Sequence, residues 1–355
     1  MINIKNEYSV IGVMSGTSMD GLDVAYSRYY KLNQKWSFKL ICAETYKYDQ
    51  PTKQEFVKAF NKEIEIYQID LSFGNLIADF LEIFIAKHNI QVDLISSHGH
   101  TIFHEPEKGF SVQVGSGEVI AKRLNTSVVY NFRQQDIDFG GQGAPLVPVG
   151  DYFLFSNYDA CLNLGGVVNI SYGNGSVREG YDICPCNMIL NFLSEKIGKN
   201  FDNKGLLAQK GQVNQDLLTK LNQLDYYKLN YPKSLAKEYV DAFFLPLICD
   251  SDISIFDLLA TTVEHIAIQI SNVFSKLNIS NCLFTGGGVF NEYLISRVQF
   301  YSIIKIIIPS KDIINYKEAI IFGFLGILKM LNKNNCFSSS TGALKDHSSG
   351  ETYII

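Results

Sequence analysis

A dense group of glycine, hydroxyl and carboxylate residues occupies positions 12–23, with the sequence GVMSGTSMDGLD. Glycines let a backbone approach a phosphate closely, and successive amides and hydroxyls donate hydrogen bonds to its oxygens. A carboxylate in such a turn holds Mg²⁺ directly or through water, and Asp20 is the metal candidate. An ordinary hairpin turn needs fewer residues of these types. We therefore predict a phosphate-binding turn made of Gly16, Thr17, Ser18, Met19, Asp20, Gly21, Leu22 and Asp23.

Two later glycine turns have a similar chemical character. Residues 163–169 read NLGGVVN, and residues 285–291 read TGGGVFN. The first suits a turn that closes on phosphates, and the second suits backbone that passes closely over an adenosine. Ordinary β-turns, with Asn291 as a helix cap, explain the same residues about equally well. The nucleotide-contact candidates here are Gly165, Gly166, Gly286, Gly287, Gly288 and Asn291.

The elements that position these turns follow one plan, which appears twice. Three β-type runs, YSVIGVM, DVAYSRYY and WSFKLICAET, predict an antiparallel meander. Helices at about 51–60 and 67–88 follow, then a short strand VDLISSHG that ends in a polar turn, a further strand and helix, and the strand TSVVYNF. The runs YDACLNLGG, VVNISYG and SVREGYDI predict a second meander. Helices, the strands NCLFTGGG and SIIKIIIP, and a terminal helix KEAIIFGFLGILKML come after it.

This repetition is the outline of the ribonuclease-H-like duplication in actin, Hsp70 and hexokinase. By fold-level analogy we predict an α/β protein with two such domains and an interdomain active-site cleft for the nucleotide. The N-terminal domain is predicted at residues 1–132 and the C-terminal domain at 133–355, with the loop RQQDIDFGGQGAPLVP at their junction. The terminal helix, at about 317–332, either stays with the second domain or packs back on the first.

Composition and charge favour a small-molecule partner. The formal net charge is -5 and no long block of Lys or Arg occurs, which argues against nucleic acid and anionic membrane as partners. The N-terminal residues lack the pattern of a signal peptide, and the longest apolar run is far shorter than a membrane span. Seven scattered cysteines fit a reducing compartment. We expect a soluble, cytoplasmic protein.

Two local groups of cysteine and histidine raise the question of a metal site. Cys184 and Cys186 flank a proline, but no second Cys or His pair follows at metal-site spacing, so buried and inert thiols are the preferred interpretation. His98, His100 and His104 lie in a segment of mixed character at a strand end. Structural hydrogen bonding, or hydrogen bonding to a ligand, is preferred there over metal binding.

A set of motifs in a fixed order makes the interpretation specific. The segments IGVMSGTSMDGLDVAY, HGHTIFHEP, GGQGAPLVP, LNLGGVVNIS, FDNKGLLAQKG, PKS, DLLAT, TGGGVFNEYL, KEA and STGA span roughly residues 10–343. With them the chain resembles the anhydro-N-acetylmuramic acid kinase family. The resemblance implies that ATP and Mg²⁺ are used to convert 1,6-anhydro-N-acetylmuramic acid into N-acetylmuramic acid 6-phosphate in cell-wall recycling. It also implies a homodimer.

The resemblance also assigns a catalytic base, and the sequence departs from the family around it. The family's base is the Asp of a D-T-G-P-G-N segment, and the matching residue is Asp182. Cys184 and Cys186 replace the two glycines, which would strain the backbone if either position needed a positive φ. Lys237 replaces an arginine, and His100 replaces a glutamine. As an alternative, Asp182 ends a β-run and initiates the following helix.

The remaining candidates are assigned to the sugar. They are Thr101, Arg133, Asp136, Gln142 and Glu318, of which the middle three lie in or beside the loop with GGQGAP. Polar groups and glycines there suit the recognition of hydroxyl, lactyl carboxylate and acetamide groups. Solvated linker residues and an exposed helix start are the alternatives. Two other functions also stay open: a kinase for a different sugar, and a nucleotide-binding ATPase or scaffold that transfers nothing.

Overall fold

The chain folds into two compact units, each of which contains one mixed β-sheet. The computed structural model describes residues 5–16, 19–173, 178–230, 233–249 and 252–355. The first unit comprises residues 1–156 and 316–355, and the second comprises residues 157–315. The first compact unit thus extends to residue 156 before the chain enters the second. The domain boundary predicted from the sequence lies at residue 132, and it stays a prediction.

The first unit is built on a sheet of seven strands, counted over the described residues, in the order β12-β6-β4-β1-β2-β3 with β5 paired to β4. Its strands are β1 (Glu7–Ser15), β2 (Gly21–Leu32), β3 (Lys35–Lys47), β4 (Leu94–Glu105), β5 (Phe110–Val114), β6 (Val128–Tyr130) and β12 (Glu351–Tyr353). Its helices are α1 (Gln50–Phe60), α2 (Ile66–His88), α3 (Gly117–Leu124), α4 (Gln134–Asp138), α5 (Val147–Leu154) and α13 (Ser338–Thr341). Helix α12 (Lys311–Met330) lies in this unit from Tyr316 onward.

The second unit has a sheet of five strands, again over the described residues, in the order β11-β10-β7-β8-β9. Its strands are β7 (Ala160–Leu164), β8 (Val167–Tyr172), β9 (Glu179–Pro185), β10 (Asn281–Thr285) and β11 (Lys305–Ile307). Its helices are α6 (Asn187–Glu195), α7 (Gln215–Asn222), α8 (Lys237–Tyr239), α9 (Leu245–Cys249), α10 (Ile255–Leu277) and α11 (Glu292–Tyr301). A π-helical segment, Val240–Phe244, joins α8 to α9.

The two sheets share one topology. In the first unit β1 pairs antiparallel with β2, β2 pairs antiparallel with β3, and β1 pairs parallel with β4, which pairs parallel with β6. In the second unit β7, β8, β9, β10 and β11 repeat this pattern of directions. The repeated meander confirms the predicted α/β fold with two ribonuclease-H-like halves.

The helices begin and end where local chemistry favours it. Asp49, Ser116 and Ser254 accept hydrogen bonds from backbone amides in the first turns of α1, α3 and α10. Asn89 and Asn278 end α2 and α10 in the left-handed conformation. In the described part of the chain, no helix is both long enough and apolar enough to cross a membrane.

Several predicted element bounds were wrong. The strand predicted at VDLISSHG does not end in a polar turn, because β4 continues to Glu105 by pairing with β5 after it leaves β1. Gly99 has a φ of 72° at this change of partner, and a β-carbon there would lie 2.5 Å from the carbonyl oxygen of Val114. The loop at the predicted domain junction contains α4 and α5. The terminal helix begins at Lys311, and β11 has three residues.

Close packing of β1 against α12 holds the first unit together. A β-carbon at Gly12 would lie 1.8 Å from the carbonyl oxygen of Ala319 and 2.8 Å from the amide nitrogen of Gly323. The hydroxyl of Tyr29 donates to the carbonyl of Ile320 at 2.6 Å, next to this contact. Helix α12 therefore lies directly on the sheet, with no side chain between the two backbones at Gly12.

We expect Gly12→Ala to lower the free energy of unfolding of the first unit by about 2 kcal/mol, because backbone on both sides blocks the added methyl group. Trp36 is the single tryptophan of the chain, and its ring lies 5.0 Å from that of Phe324 in α12. Its fluorescence during urea denaturation is the measurement.

Gly109→Ala is the matched control, since a β-carbon at Gly109 meets open space and the φ of 84° alone is unfavourable for alanine. That variant should lose about 1 kcal/mol. An unfolding midpoint for Gly12→Ala at or above that of Gly109→Ala would contradict the close contact.

Candidate active site

The turn between β1 and β2 carries the predicted phosphate-binding residues. Thr17 and Ser18 lie outside the described residues. The amide of Met19 donates to the carbonyl of Gly16 at 3.2 Å, and Met19 has a φ of 54°. The side chain of Asp20 is exposed. The described part of the turn therefore presents one carboxylate to solvent.

A second carboxylate lies near Asp20. Asp23 is half-buried and accepts a hydrogen bond from the hydroxyl of Thr45 at 2.5 Å. Burial raises the pKa of Asp23, the bond from Thr45 opposes that shift, and the negative charge of Asp20 adds to it. Two carboxylates that repel each other in this way offer oxygen ligands to a divalent cation.

Two residues of the predicted turn have structural reasons for their identity. A β-carbon at Gly21 would lie 2.5 Å from the carbonyl oxygen of Tyr46, so the close approach of β2 to β3 requires glycine there. The side chain of Leu22 is fully buried in the core of the first unit. A nucleotide contact at these two positions has to come from backbone groups.

A buried hydrogen-bonded chain supports the end of β1. The hydroxyl of Tyr48 donates to Ser15 at 2.7 Å, and the hydroxyl of Ser15 donates to Nδ1 of His100 at 2.9 Å. The His100 ring stacks on Phe56 with 4.0 Å between the ring centres. Burial lowers the pKa of His100 to about 4, so the ring is neutral near pH 7. The histidine at this position is thus a structural support.

Arg133 is held by two acceptors on the predicted sugar side. Its Nε donates to Nε2 of His98 at 2.9 Å, and its Nη1 donates to the carbonyl of Gly143 at 2.7 Å. Nδ1 of His98 donates to the carbonyl of Gly99 at 2.9 Å, which leaves Nε2 as the acceptor. Burial, and then the charge of Arg133, hold the pKa of His98 well below its usual value. A neutral histidine therefore orients the guanidinium.

Glu318 lies among charged groups of the first unit, and its side chain is exposed to solvent. Surrounding protein atoms desolvate its carboxyl and raise its pKa, Arg133 and Lys317 oppose that shift, and Asp23 adds to it. Lys317 is buried and forms an ion pair with Asp151 at 2.7 Å. Lys317 and Glu318 lie about two turns inside α12, so the predicted helix start at these residues is wrong, while Glu318 is exposed as that alternative held.

The other sugar candidates have different environments. Thr101 lies in β4, half-buried, where the side-chain amide of Gln113 donates to its hydroxyl at 3.4 Å. Gln142 has an exposed side chain, and its backbone amide donates to the carbonyl of Thr341 at 2.8 Å. Asp136 is 0% exposed and accepts hydrogen bonds from within the protein. Asp136 therefore presents no surface to a sugar in this structure.

Sequence reasoning missed a recess of about 330 Å³ in the first unit. Its lining includes Asp70, Gln113 and the His98 that orients Arg133. Oε1 of Gln113 is buried and has no hydrogen-bond partner among the described residues. These residues belong to α2, β5 and β4, and no sequence spacing indicates that they meet.

Asp182 lies in the second unit in the middle of β9, opposite Asn169 of β8. The alternative that Asp182 ends a strand and starts a helix is wrong, because β9 continues to Pro185. Oδ2 accepts hydrogen bonds from the amide of Leu235 at 2.9 Å and from the hydroxyl of Ser234 at 3.2 Å. Burial raises the pKa of Asp182, and these two bonds partly oppose the shift. The carboxylate is fixed in position and is more basic than an exposed one.

The cysteines beside Asp182 fit their backbone. Cys186 has a φ of -133°, and Cys184 is not among the described residues with positive φ. Both side chains are fully buried in the core of the second unit. The strain considered from the glycine replacements therefore does not arise from left-handed backbone. Lys237, the other replacement in this unit, is exposed and pairs with Asp241 at 2.6 Å.

The turn between β7 and β8 occupies the place in the second unit that the β1–β2 turn has in the first. The carbonyls of Gly165 and Gly166 accept hydrogen bonds from the amides of Asn187, Cys186 and Met188 at the start of α6. Gly166 is exposed, and a β-carbon there would have no contact closer than 4.0 Å. The carbonyls thus serve the fold, while the exposed side of Gly166 has room for a ligand.

The three glycines after β10 separate into two kinds. Gly286 has a φ of 83°, and β-carbons at Gly286 and Gly288 would lie 2.4 Å from Asn163 and 2.7 Å from Leu164, respectively. Gly287 is exposed with open space around it. Asn291 accepts a hydrogen bond from the amide of Leu294 at 2.9 Å and caps α11, as the alternative interpretation held. Gly287 is the member of this turn that a base or ribose can approach closely.

Comparison with known proteins gives the family. The family model for anhydro-N-acetylmuramic acid kinase matches residues 8–354. The chain belongs to this family. A curated relative of that name from Sulfurimonas denitrificans is 33% identical over 97% of this chain and 98% of its own length. Another, from a Sulfurovum species, is 32% identical over 98% of this chain and 100% of its own.

Among solved structures, the activator of the 2-hydroxyisocaproyl-CoA dehydratase from Clostridium difficile with bound ADPNP is similar at a TM-score of 0.44 and 11% identity. That similarity covers 90% of this chain and 94% of the activator. The family model, which matches residues 8–354, confirms the resemblance of the motifs to the anhydro-N-acetylmuramic acid kinase family over nearly the whole chain.

We expect the cysteines beside Asp182 to be unreactive in the native protein. Burial raises the pKa of Cys186 to about 12 and that of Cys184 well above its usual value, whereas Cys249 is exposed. Because the thiolate is the nucleophile, a thiol reagent near neutral pH should label Cys249 at least roughly 100-fold faster than Cys184 or Cys186. Mass spectrometry of labelled peptides is the measurement. Rapid labelling of Cys184, or a disulfide between the pair, would contradict the expectation.

Proposed function

We propose that this chain is an ATP-dependent kinase that converts 1,6-anhydro-N-acetylmuramic acid and water into N-acetylmuramic acid 6-phosphate. Family membership over residues 8–354 supports the choice of reaction. The observation that supports a catalytic base for this reaction is the carboxylate of Asp182 on β9, which hydrogen bonds from Leu235 and Ser234 hold in place. The predicted homodimer and cytoplasmic location stay predictions.

The reaction needs one base and one acceptor. Water attacks C1 of the anhydrosugar, and its proton passes to the base. The bond between C1 and O6 breaks with its electron pair on O6, and O6 takes the γ-phosphoryl group while ADP leaves. The hydroxyl from water stays on C1, and the proton on the base later returns to solvent. One carboxylate therefore suffices.

Asp182 fits the role of this base for two physical reasons. Its raised pKa makes it take a proton more readily than an exposed carboxylate does. Among the described residues, Ser234 and Leu235 donate hydrogen bonds to the side chain of Asp182, and both bonds are to Oδ2. We therefore assign Oδ1 as the acceptor of the proton from water, while Oδ2 keeps the carboxylate in place.

We assign the phosphates to the turn between β1 and β2 and to the exposed backbone of Gly166, and the adenosine to Gly287. ATP supplies the phosphoryl group, and Mg²⁺ neutralises the charge of its phosphates. Asp20 fits the ion because it is exposed and because its charge already raises the pKa of Asp23. A cation held by Asp20 would relieve this repulsion.

The sugar is assigned to Arg133, Glu318, Thr101 and Gln142. Arg133 is charged and oriented by His98, so its remaining N–H groups suit the lactyl carboxylate. Glu318 is exposed and interacts electrostatically with Arg133, so its carboxylate suits hydrogen bonds from sugar hydroxyls. Asp136, predicted as a sugar contact, is instead assigned to the protein interior, where it holds the amide of Gly143 at 2.7 Å.

Asp182→Asn should lower kcat by roughly 1,000-fold, because an amide does not take the proton from water. Both sugar opening and ADP formation should fall together. In ¹⁸O-water the wild-type product should carry the label at C1 and not in phosphate, which mass spectrometry measures. The wild-type kcat/KM should also decrease as the pH is lowered, because Asp182 becomes protonated. The apparent pKa of this decrease should lie above the usual range of aspartate, since burial raises the pKa of Asp182.

Asp216→Asn is the matched control, because Asp216 is an exposed aspartate in the first turn of α7. It should keep wild-type rates. More than a tenth of the wild-type rate in Asp182→Asn would remove Asp182 from its role. ATP turnover that requires another sugar, or no sugar at all, would replace the proposed reaction by one of the other two functions.

Asp20→Asn should raise the Mg²⁺ concentration for half-maximal activity about tenfold, because the ion loses a charged ligand. Excess Mg²⁺ should restore most of the rate. Glu107→Gln, at an exposed carboxylate of the same unit, is the control and should leave the Mg²⁺ dependence unchanged. An unchanged dependence in Asp20→Asn would exclude Asp20 as the metal ligand.

A further inference from the structure

Three metal-ligating side chains meet inside the first unit, and none of them is assigned above to nucleotide or Mg²⁺. They are Asp136 of α4, Cys336 after α12, and His347 near the C-terminus, and we call them the buried triad. Their ligand atoms all lie within 4.8 Å of one another. Exposure is 0% for Asp136, 0% for Cys336 and 5% for His347. Buried groups of this kind require partners for their polar atoms.

The histidine is the group whose bonding is incomplete. Nδ1 of His347 lies 3.0 Å from the carbonyl oxygen of Lys345, which only accepts, so Nδ1 donates this hydrogen bond. Nε2 lies 3.5 Å from Oδ1 of Asp136. Nε2 has no hydrogen-bond partner among the described residues. With Nδ1 engaged as a donor, Nε2 is the ring atom available to coordinate a cation beside the carboxylate of Asp136.

The cysteine and a threonine complete a ligand set. Sγ of Cys336 lies 2.9 Å from Oδ1 of Asp136, and the hydroxyl of Thr341 lies 2.8 Å from the same oxygen. Sulfur, imidazole nitrogen and carboxylate oxygen are the ligands that Zn²⁺ takes in tetrahedral sites. A zinc ion with one thiolate and one carboxylate has no net charge, and that is favourable for burial.

The backbone around the triad is held firmly. Cys336 and His347 exchange backbone hydrogen bonds in both directions, at 3.1 and 3.2 Å. The side-chain amide of Asn335 donates to the carbonyls of Leu325 and Ser349. A β-carbon at Gly141 would lie 2.2 Å from the carboxylate of Asp136. Backbone pairing thus holds Cys336 and His347 in position, and the close approach of Gly141 holds the carboxylate of Asp136.

We propose that the buried triad is a structural zinc site that ties the C-terminal segment to α4 and, through the bond from the amide of Gly143 to Asp136, to the loop after it. On binding, the thiol of Cys336 loses its proton to water and becomes the thiolate ligand, and the hydroxyl of Thr341 is the fourth ligand. The tied loop contains Gly143, whose carbonyl holds Arg133. The site therefore stabilises the fold beside a sugar-binding residue and takes no part in the reaction.

The test is metal binding by the full chain, measured by elemental analysis after dialysis against micromolar Zn²⁺. We expect one zinc per chain in the wild type, and loss of that zinc in Cys336→Ser and in His347→Gln. Cys249→Ser, at an exposed thiol, is the matched control and should retain it. Zinc should raise the Tm of the wild type and of Cys249→Ser, and should leave that of Cys336→Ser unchanged.

Spectroscopy on the wild type keeps the test valid if a variant fails to fold. With Co²⁺ in place of Zn²⁺, a thiolate-to-metal charge-transfer band and tetrahedral visible bands are expected. X-ray absorption of the zinc form should give one sulfur at about 2.3 Å and nitrogen or oxygen at about 2.0–2.1 Å. No retained zinc in the wild type, a coordination shell without sulfur, or unchanged zinc content in Cys336→Ser would each overturn the proposal.

Discussion

The contact between Gly12 in β1 and the backbone of α12 determines how the first unit is assembled. No side chain fits between them, because a β-carbon at Gly12 would lie 1.8 Å from the carbonyl oxygen of Ala319. The strand leads directly into the turn with Asp20, and the helix carries Glu318. Since the two backbones touch, this one contact brings a phosphate-binding candidate and a sugar-binding candidate from opposite ends of the chain into the same region.

The aspartates of this chain show how environment separates residues of one type. Asp20 is exposed at a turn, and Asp182 is half-buried with Oδ2 held by two donors. Asp136 is fully buried among a thiol, a hydroxyl and a backbone amide. Desolvation and hydrogen bonding act in opposite directions on such groups. An aspartate side chain can thereby be suited to binding a metal ion, to accepting a proton or to hydrogen bonding inside the protein.

Much of the fold could be predicted because strand and helix periods are local properties. Both meanders and α2 were predicted near their observed bounds, and the order of motifs indicated the family. The errors occurred where pairing decides an element. Segment 98–105 is polar, yet it is a strand because β5 supplies its partner. The junction loop forms α4 and α5 through contacts that the local sequence does not encode.

The sequence by itself determined which residue types stand at each turn, and hence the candidates Asp20, Asp182 and the glycines, because turn chemistry depends on neighbouring residues. Only the tertiary structure decided which candidates are accessible and what surrounds them. It buried Asp136, left Gly287 open, and joined Lys317 to Asp151. It also brought Cys336 and His347 to Asp136, about 200 positions earlier in the sequence. Accessibility and long-range contact arise from packing, and packing is a property of the whole fold.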